Sequence, residues 1–125
     1  MKIYIENHPN NAGYWIYKGY EAAWKHEGYE VQYYDSLENI TPTGEYNIMA
    51  DDAGIQSNKS LAAVLNAERA YLYAQPNKYP MHWGHHPNFI SQIKEEYIQE
   101  INNSDNIFLW TFADAQETDF YFKWK

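Results

Sequence analysis

An α/β sandwich of three layers, with a mostly parallel five-stranded sheet in the middle, is the architecture this 125-residue chain predicts. Short β-rich runs alternate with stretches of helical spacing, and at least one run is apolar enough to be buried on both faces. Such alternation requires crossover connections, which make neighbouring strands parallel. A parallel sheet then needs cover on both sides.

The first strand is "KIYIEN" (2–7), alternating and rich in β-formers. "HPNNAG" reads as a turn-forming loop. From 14 to about 27, Ile16, Tyr20, Ala23 and Trp24 recur at helical spacing, and Gly28 stands where a left-handed C-terminal cap is wanted. "YEVQYYD" (29–35) is the second strand, and the polar connection "SLENITPTGE", with Pro42 and Gly44, replaces the helix expected next. "YNIMA" (46–50) is the third strand, buried on both faces, so "ADDAG" falls at the carboxyl end of a central strand.

Ser57 caps a short helix from 58 to about 66 whose inner stripe is Leu61, Val64 and Leu65. "RAYLYAQ" (69–75) is the fourth strand, and "PNKYPMHWGHHPN" is a loop too long to be a mere connector. Ile90, Ile93, Tyr97 and Ile101 mark an amphipathic helix from 89 to about 102, followed by the fifth strand "NIFLWTFAD" (106–114). The tail "DFYFKWK" alternates as a one-faced strand does and adds a further edge strand. The expectation is one domain over 1–125, a Rossmann-like or flavodoxin-like sandwich with strand order 3-2-1-4-5.

Composition narrows the function. A net charge of −8 with no cluster of Lys or Arg disfavours nucleic acid and anionic membranes. The absence of cysteine excludes disulfides, a thiol nucleophile and thiolate metal sites. The N-terminus carries too short an apolar stretch for a signal peptide and no run approaches a bilayer span, so cytoplasmic residence is the expectation. Thirteen Tyr and five Trp pack as hydrophobes with polar tips, either at the rim of the core or along a ligand groove.

In an open parallel sheet, ligands bind beyond the carboxyl ends of the strands where the order reverses, here expected between the first and fourth strands. The loops at 8–13, 51–54, 75–86 and 111–114 would meet there. Asp51 and Asp52 read either as a strand-end turn or as the catalytic candidates, one of them a general base or hydroxyl-binding carboxylate. His8, Asn10, Asn11 and Gly13 read as an ordinary helix start or as an oxygen-binding one.

Gln75, His82, His85 and His86 are binding candidates for anions or sugar hydroxyls, or else plain surface-loop residues. Gly84 and Pro87 argue against the helix that would let His82 and His86 share a metal ion, so no metal is expected. No cofactor is expected either, because Gly13 stands alone where a dinucleotide fingerprint needs three glycines, and a phosphate-loop motif is absent. A phosphoacceptor reading of the acidic pair fails at its partner positions, which hold Glu6-Asn7, Ala74-Gln75 and Phe112-Ala113.

The combination of "KIYIEN", a Pro/Asn/Gly loop, "HEGYEVQYYDS" and "ADDAG" resembles the amino-terminal half of GT-B glycosyltransferases, especially the spore-maturation-type branch, over roughly residues 1–114. The resemblance implies an acceptor-binding half-domain. In it the loops at 8–13 and 82–86 and the pair Asp51-Asp52 face the acceptor, and an Asp or His deprotonates its hydroxyl. The second, nucleotide-sugar-binding half is missing from the sequence, so the resemblance implies no transfer by this chain alone. A partner half would bring the sugar donor, and the aromatic tail offers a homodimer contact. A stand-alone small-ligand or protein-binding module without enzymatic activity is the other reading.

Overall fold

The computed structural model describes residues 1–7, 11–73 and 94–110. In chain order the elements are β1 (Lys2–Glu6), α1 (Asn11–His26), β2 (Glu30–Tyr34), β3 (Tyr46–Asp51), α2 (Asn58–Leu65), β4 (Arg69–Tyr73), α3 (Glu95–Asn103) and β5 (Ile107–Trp110). Single 3-10 turns at Leu37–Asn39 and Asp52–Gly54 follow β2 and β3. The helix missing between the second and third strands is thus replaced by a turn. No helix among the described residues is long and apolar enough to cross a membrane.

The five strands form one sheet in the order β2-β1-β3-β4-β5, and all its pairings are parallel. The α/β sandwich is therefore as predicted, but the order 3-2-1-4-5 is corrected: β3 stands between β1 and β4 instead of at an edge. Burial explains the difference. Residues 46–50 of β3 are all buried, which requires a neighbouring strand on each side and a layer on each face. β2 exposes Glu30 and Gln32 and is well suited to an edge. The observed arrangement is the flavodoxin-like doubly wound order.

Crossover handedness then distributes the helices. The chain steps one way from β1 to β2 and the other way from β3 through β5, so right-handed connections place α1 on one face and α2 and α3 on the other. On the α2/α3 face, Ile48, Leu72, Val64, Ile101 and Ile107 form an aliphatic core, joined by Leu37 and Ile40 from the turn that crosses over β1. Burying one such side chain fully is worth about 1.5–3 kcal/mol. On the α1 face, Ile3, Ile5 and Met49 meet Tyr17, Tyr20 and Trp24.

Helix ends follow local chemistry. Gly28, at φ 92°, closes α1 in a Schellman motif: its N–H donates to Lys25 O (3.0 Å), and Tyr29 N–H donates to Trp24 O (3.0 Å). The rings of Trp24 and Tyr29 meet edge to face at 4.8 Å across that turn. Ser57 and Ser60 exchange side-chain and backbone hydrogen bonds at the start of α2, which makes a capping box.

Two further corrections concern α1. The helix begins at Asn11, so Asn11 and Gly13 belong to its first turn and not to a preceding loop. Its inward stripe runs through Tyr17, Tyr20 and Trp24, while Ile16 and Ala23 are exposed. Polar tips decide this rotation as much as hydrophobicity does: Trp24 Nε1 donates to Met49 Sδ at 3.3 Å. His8, Asn10, Gln75, His82, His85 and His86 lie outside the described residues, as do the rest of the histidine loop, the loop at 111–114 and the expected edge strand in the tail.

Candidate functional site

The strand ladders end at different heights along the carboxyl edge of the sheet. β1 pairs with β2 through Glu6 opposite Tyr34, and β3 pairs with β4 through Asp51 opposite Tyr73. The β1–β3 ladder stops earlier, at Tyr4 opposite Ile48. That end of the ladder lies at the point where strand order reverses. The switch point expected between the first and fourth strands is therefore between β1 and β3, and its two flanking strands end in carboxylates.

A cleft of about 220 Å³ occupies this position, with Glu6, Asp51 and Asp35 as its carboxylates and Tyr34, Ser36 and Gln56 as further polar lining. No lysine or arginine lines it among the described residues. Around it, Asn7 N–H donates to Tyr34 O at 2.9 Å, and Asn7 Nδ2 donates to Asp35 Oδ1 at 3.0 Å, which ties the ends of β1 and β2 together.

Glu6 and Asp51 share a side-chain hydrogen bond. Two carboxyl groups bond to each other only through a proton, because ionised carboxylates are acceptors alone. Burial pushes the Glu6 carboxyl above its ordinary value of 4.5, and the bond to Asp51 offsets part of that rise. The pair thus presents both an acceptor and a donor, and it titrates as a unit.

Two phenols bound the pair. Tyr17, reaching in from α1, is raised by burial and then by the nearby charges of Asp51 and Glu6, so it stays protonated. Tyr34 is raised for the same reasons, and its hydroxyl donates to the Met49 carbonyl at 2.7 Å. Tyr73, at the end of β4, adds a further phenol near Tyr17. The arrangement offers hydroxyl-sized donors and acceptors around one partly dry carboxyl pair, and disfavours anions.

The structure splits the acidic pair that the sequence singles out. Asp51 is the last residue of β3 and lines the cleft. Asp52 opens the 3-10 turn and is 0% exposed, which removes it from direct contact with a ligand. Its carbonyl accepts from Ile55 N–H at 3.1 Å and closes that turn. Asn11 and Gly13 lie in α1, and the histidine candidates lie outside the described residues, so of the predicted residues Asp51 alone is seen at this cleft.

Glu6, Tyr17 and Tyr34 escape a reading of the sequence. Glu6 carries a usable signal, since it ends an alternating strand just as Asp51 ends an apolar one. Comparison with protein-family models, with curated proteins and with solved structures finds no match to this chain. Among the described residues, no group of three or more His, Asp or Glu side chains is placed to hold a metal ion.

Proposed function

We propose that the chain is a small-ligand-binding module whose cleft between β1 and β3 takes a compact, non-anionic ligand rich in hydroxyl groups. The observation that carries this reading is the hydrogen-bonded Glu6–Asp51 carboxyl pair at the switch point. A pair that both donates and accepts matches a hydroxyl, which does the same. Asp35 and the Glu6–Asp51 pair, which holds one proton between two carboxyl groups, carry negative charge with no cation among the described lining residues, and so repel phosphate and carboxylate ligands. At about 220 Å³ the cleft lies below the roughly 300 Å³ at which pockets for drug-sized ligands begin, so it suits one small ring or a few polar atoms.

The test is a titration of the full chain followed by amide NMR, with neutral sugars and polyols in one series and nucleoside diphosphates and inorganic phosphate in another. Saturable shifts at Asn7, Asp35 and Gly54 with a neutral polyol, lost in Asp51→Asn, are expected. Binding of phosphate compounds at those amides, with no response to polyols, overturns the reading.

A glycosyltransferase-like role as an acceptor-side half is the second reading, favoured by the same pair, because Asp51 stands where a general base would receive an acceptor hydroxyl's proton. It requires a separate donor-binding half. Tight binding of UDP-, GDP- or ADP-sugars by this chain alone contradicts it.

A further inference from the structure

Two carboxyl groups that hold one proton between them are an acid and a base at the same time, and the Glu6–Asp51 pair brings both functions to the lining of the cleft. The two groups end different strands, β1 and β3, so the sheet itself holds them in hydrogen-bond contact. Both are half buried, neither in bulk water nor sealed from the cleft. The groups facing the pair do not compete for its proton. Tyr17 from α1 and Tyr34 from β2 stay protonated, Tyr73 from β4 lies beyond Tyr17, and Asp35 accepts from Asn7 Nδ2. No cation among the described lining residues draws the proton off.

What such a pair does depends on what a hydroxyl-rich ligand offers it. An ordinary alcohol gives and takes a proton with no net change. A cyclic hemiacetal, the ring form of a reducing sugar, carries a hydroxyl and the ring oxygen on a single carbon, so a base at one and an acid at the other open the ring. Adjacent carboxyl groups suit adjacent oxygens, and a cleft of about 220 Å³ suits one such ring.

We propose that this cleft, as a site for neutral hydroxyl-rich ligands in the reading above, interconverts the anomers of a reducing monosaccharide with Glu6 and Asp51 as its acid–base pair. Asp51 takes the proton of the anomeric hydroxyl, whose oxygen forms the carbonyl. The bond from the anomeric carbon to the ring oxygen breaks, and its electron pair takes the proton held by Glu6. The open-chain aldehyde then turns about the bond to its second carbon and closes on the other face of the carbonyl, returning one proton to Glu6 and taking one from Asp51. The pair ends as it began and no co-reactant is consumed.

Polarimetry of freshly dissolved single anomers of glucose, galactose and xylose reads this step, because each relaxes to its anomeric mixture at a rate that the full chain should raise in proportion to its concentration. Asp51→Asn and Glu6→Gln keep size and remove the titrating group, and each should cost roughly a hundredfold of the added rate. Glu45→Gln, an exposed acid just before β3, should leave it unchanged. The parent's added rate should fall both where the pair is fully protonated and where it is fully ionised, a profile that a misfolded variant does not mimic. Unchanged anomerisation rates alongside amide shifts at Asn7, Asp35 and Gly54 with these sugars and with methyl glucoside overturn the proposal and leave the binding reading standing. Unchanged rates with no shifts overturn both. An added rate that survives in both amide variants places the catalysis elsewhere and overturns the proposal alone.

Discussion

The two faces of the sheet are made from different materials. On the α2/α3 face, Ile48, Val64, Leu72, Ile101 and Ile107 are at most 1% exposed and carry no polar atoms to satisfy. On the α1 face, the side chains against the strands are mainly Tyr and Trp, several of them half buried, and their polar tips reach Met49, Glu21 and the neighbourhood of Glu6 and Asp51. The first face stores stability and the second combines packing with chemistry. Aromatic residues suit that double role because a ring buries large area while its hydroxyl or N–H stays available.

The sharpest way to break this contrast uses two adjacent residues of β4 that point to opposite faces. Leu72→Ala empties the aliphatic core and should cost about 2–5 kcal/mol in a urea titration. Tyr71→Ala, at a half-buried ring beside an open groove, should cost less than half as much. Equal losses would mean that the α1 face is as tightly closed as the other.

A smaller effect tests the phenols that border the cleft. Tyr34→Phe keeps the ring but leaves the Met49 carbonyl without its 2.7 Å donor, so a loss of about 1 kcal/mol is expected by thermal or urea unfolding. No measurable loss would show that water replaces the hydroxyl and that the cleft is wetter than its burial implies.

The smallest effect is one of pH. The Glu6 carboxyl is raised above 4.5 by burial, so between 4.5 and its raised value the folded chain holds a proton that the unfolded chain has released. Stability therefore falls as pH rises through that window. Glu6→Gln removes this dependence. The variant should gain relative to the parent as pH climbs from below 4.5 toward neutrality, measured as the difference between the two unfolding curves. A difference that does not change with pH would dissolve the shared-proton pair.

Much of the fold is legible because its signals are local. Alternation in "KIYIEN", the apolar run "YNIMA", Ser57 before α2 and Gly28 after α1 each report on neighbours within one turn or one strand, and each lies where expected. Strand order is not legible in the same way, yet β3 itself argues against an edge position: a strand apolar on both faces cannot stand at the end of a sheet. Periodicity places Tyr20 and Trp24 of α1 correctly but takes Ile16 for Tyr17, because Ile16 outranks Tyr17 in hydropathy, whereas Tyr17 is the residue with both a ring to bury and a hydroxyl to place near the carboxyl pair.

The candidate site shows the same division. Asp51 is legible from its position behind an apolar strand, but adjacency in sequence groups Asp52 with it. The chain turns between them, and one goes to the cleft while the other goes to the interior. Glu6 joins Asp51 from a strand forty-five positions away, and no periodicity links residues at that distance.

By itself, then, the sequence determined which segments became strands and helices and where several of them end, since hydrophobic period, caps and turn residues act over a few bonds. Only the tertiary structure decided which strands lie side by side, and with that where the order reverses and which carboxylates meet. The reason is physical: pairing depends on how much surface each strand must hide on both sides, a property of the whole assembled sheet that no single segment carries.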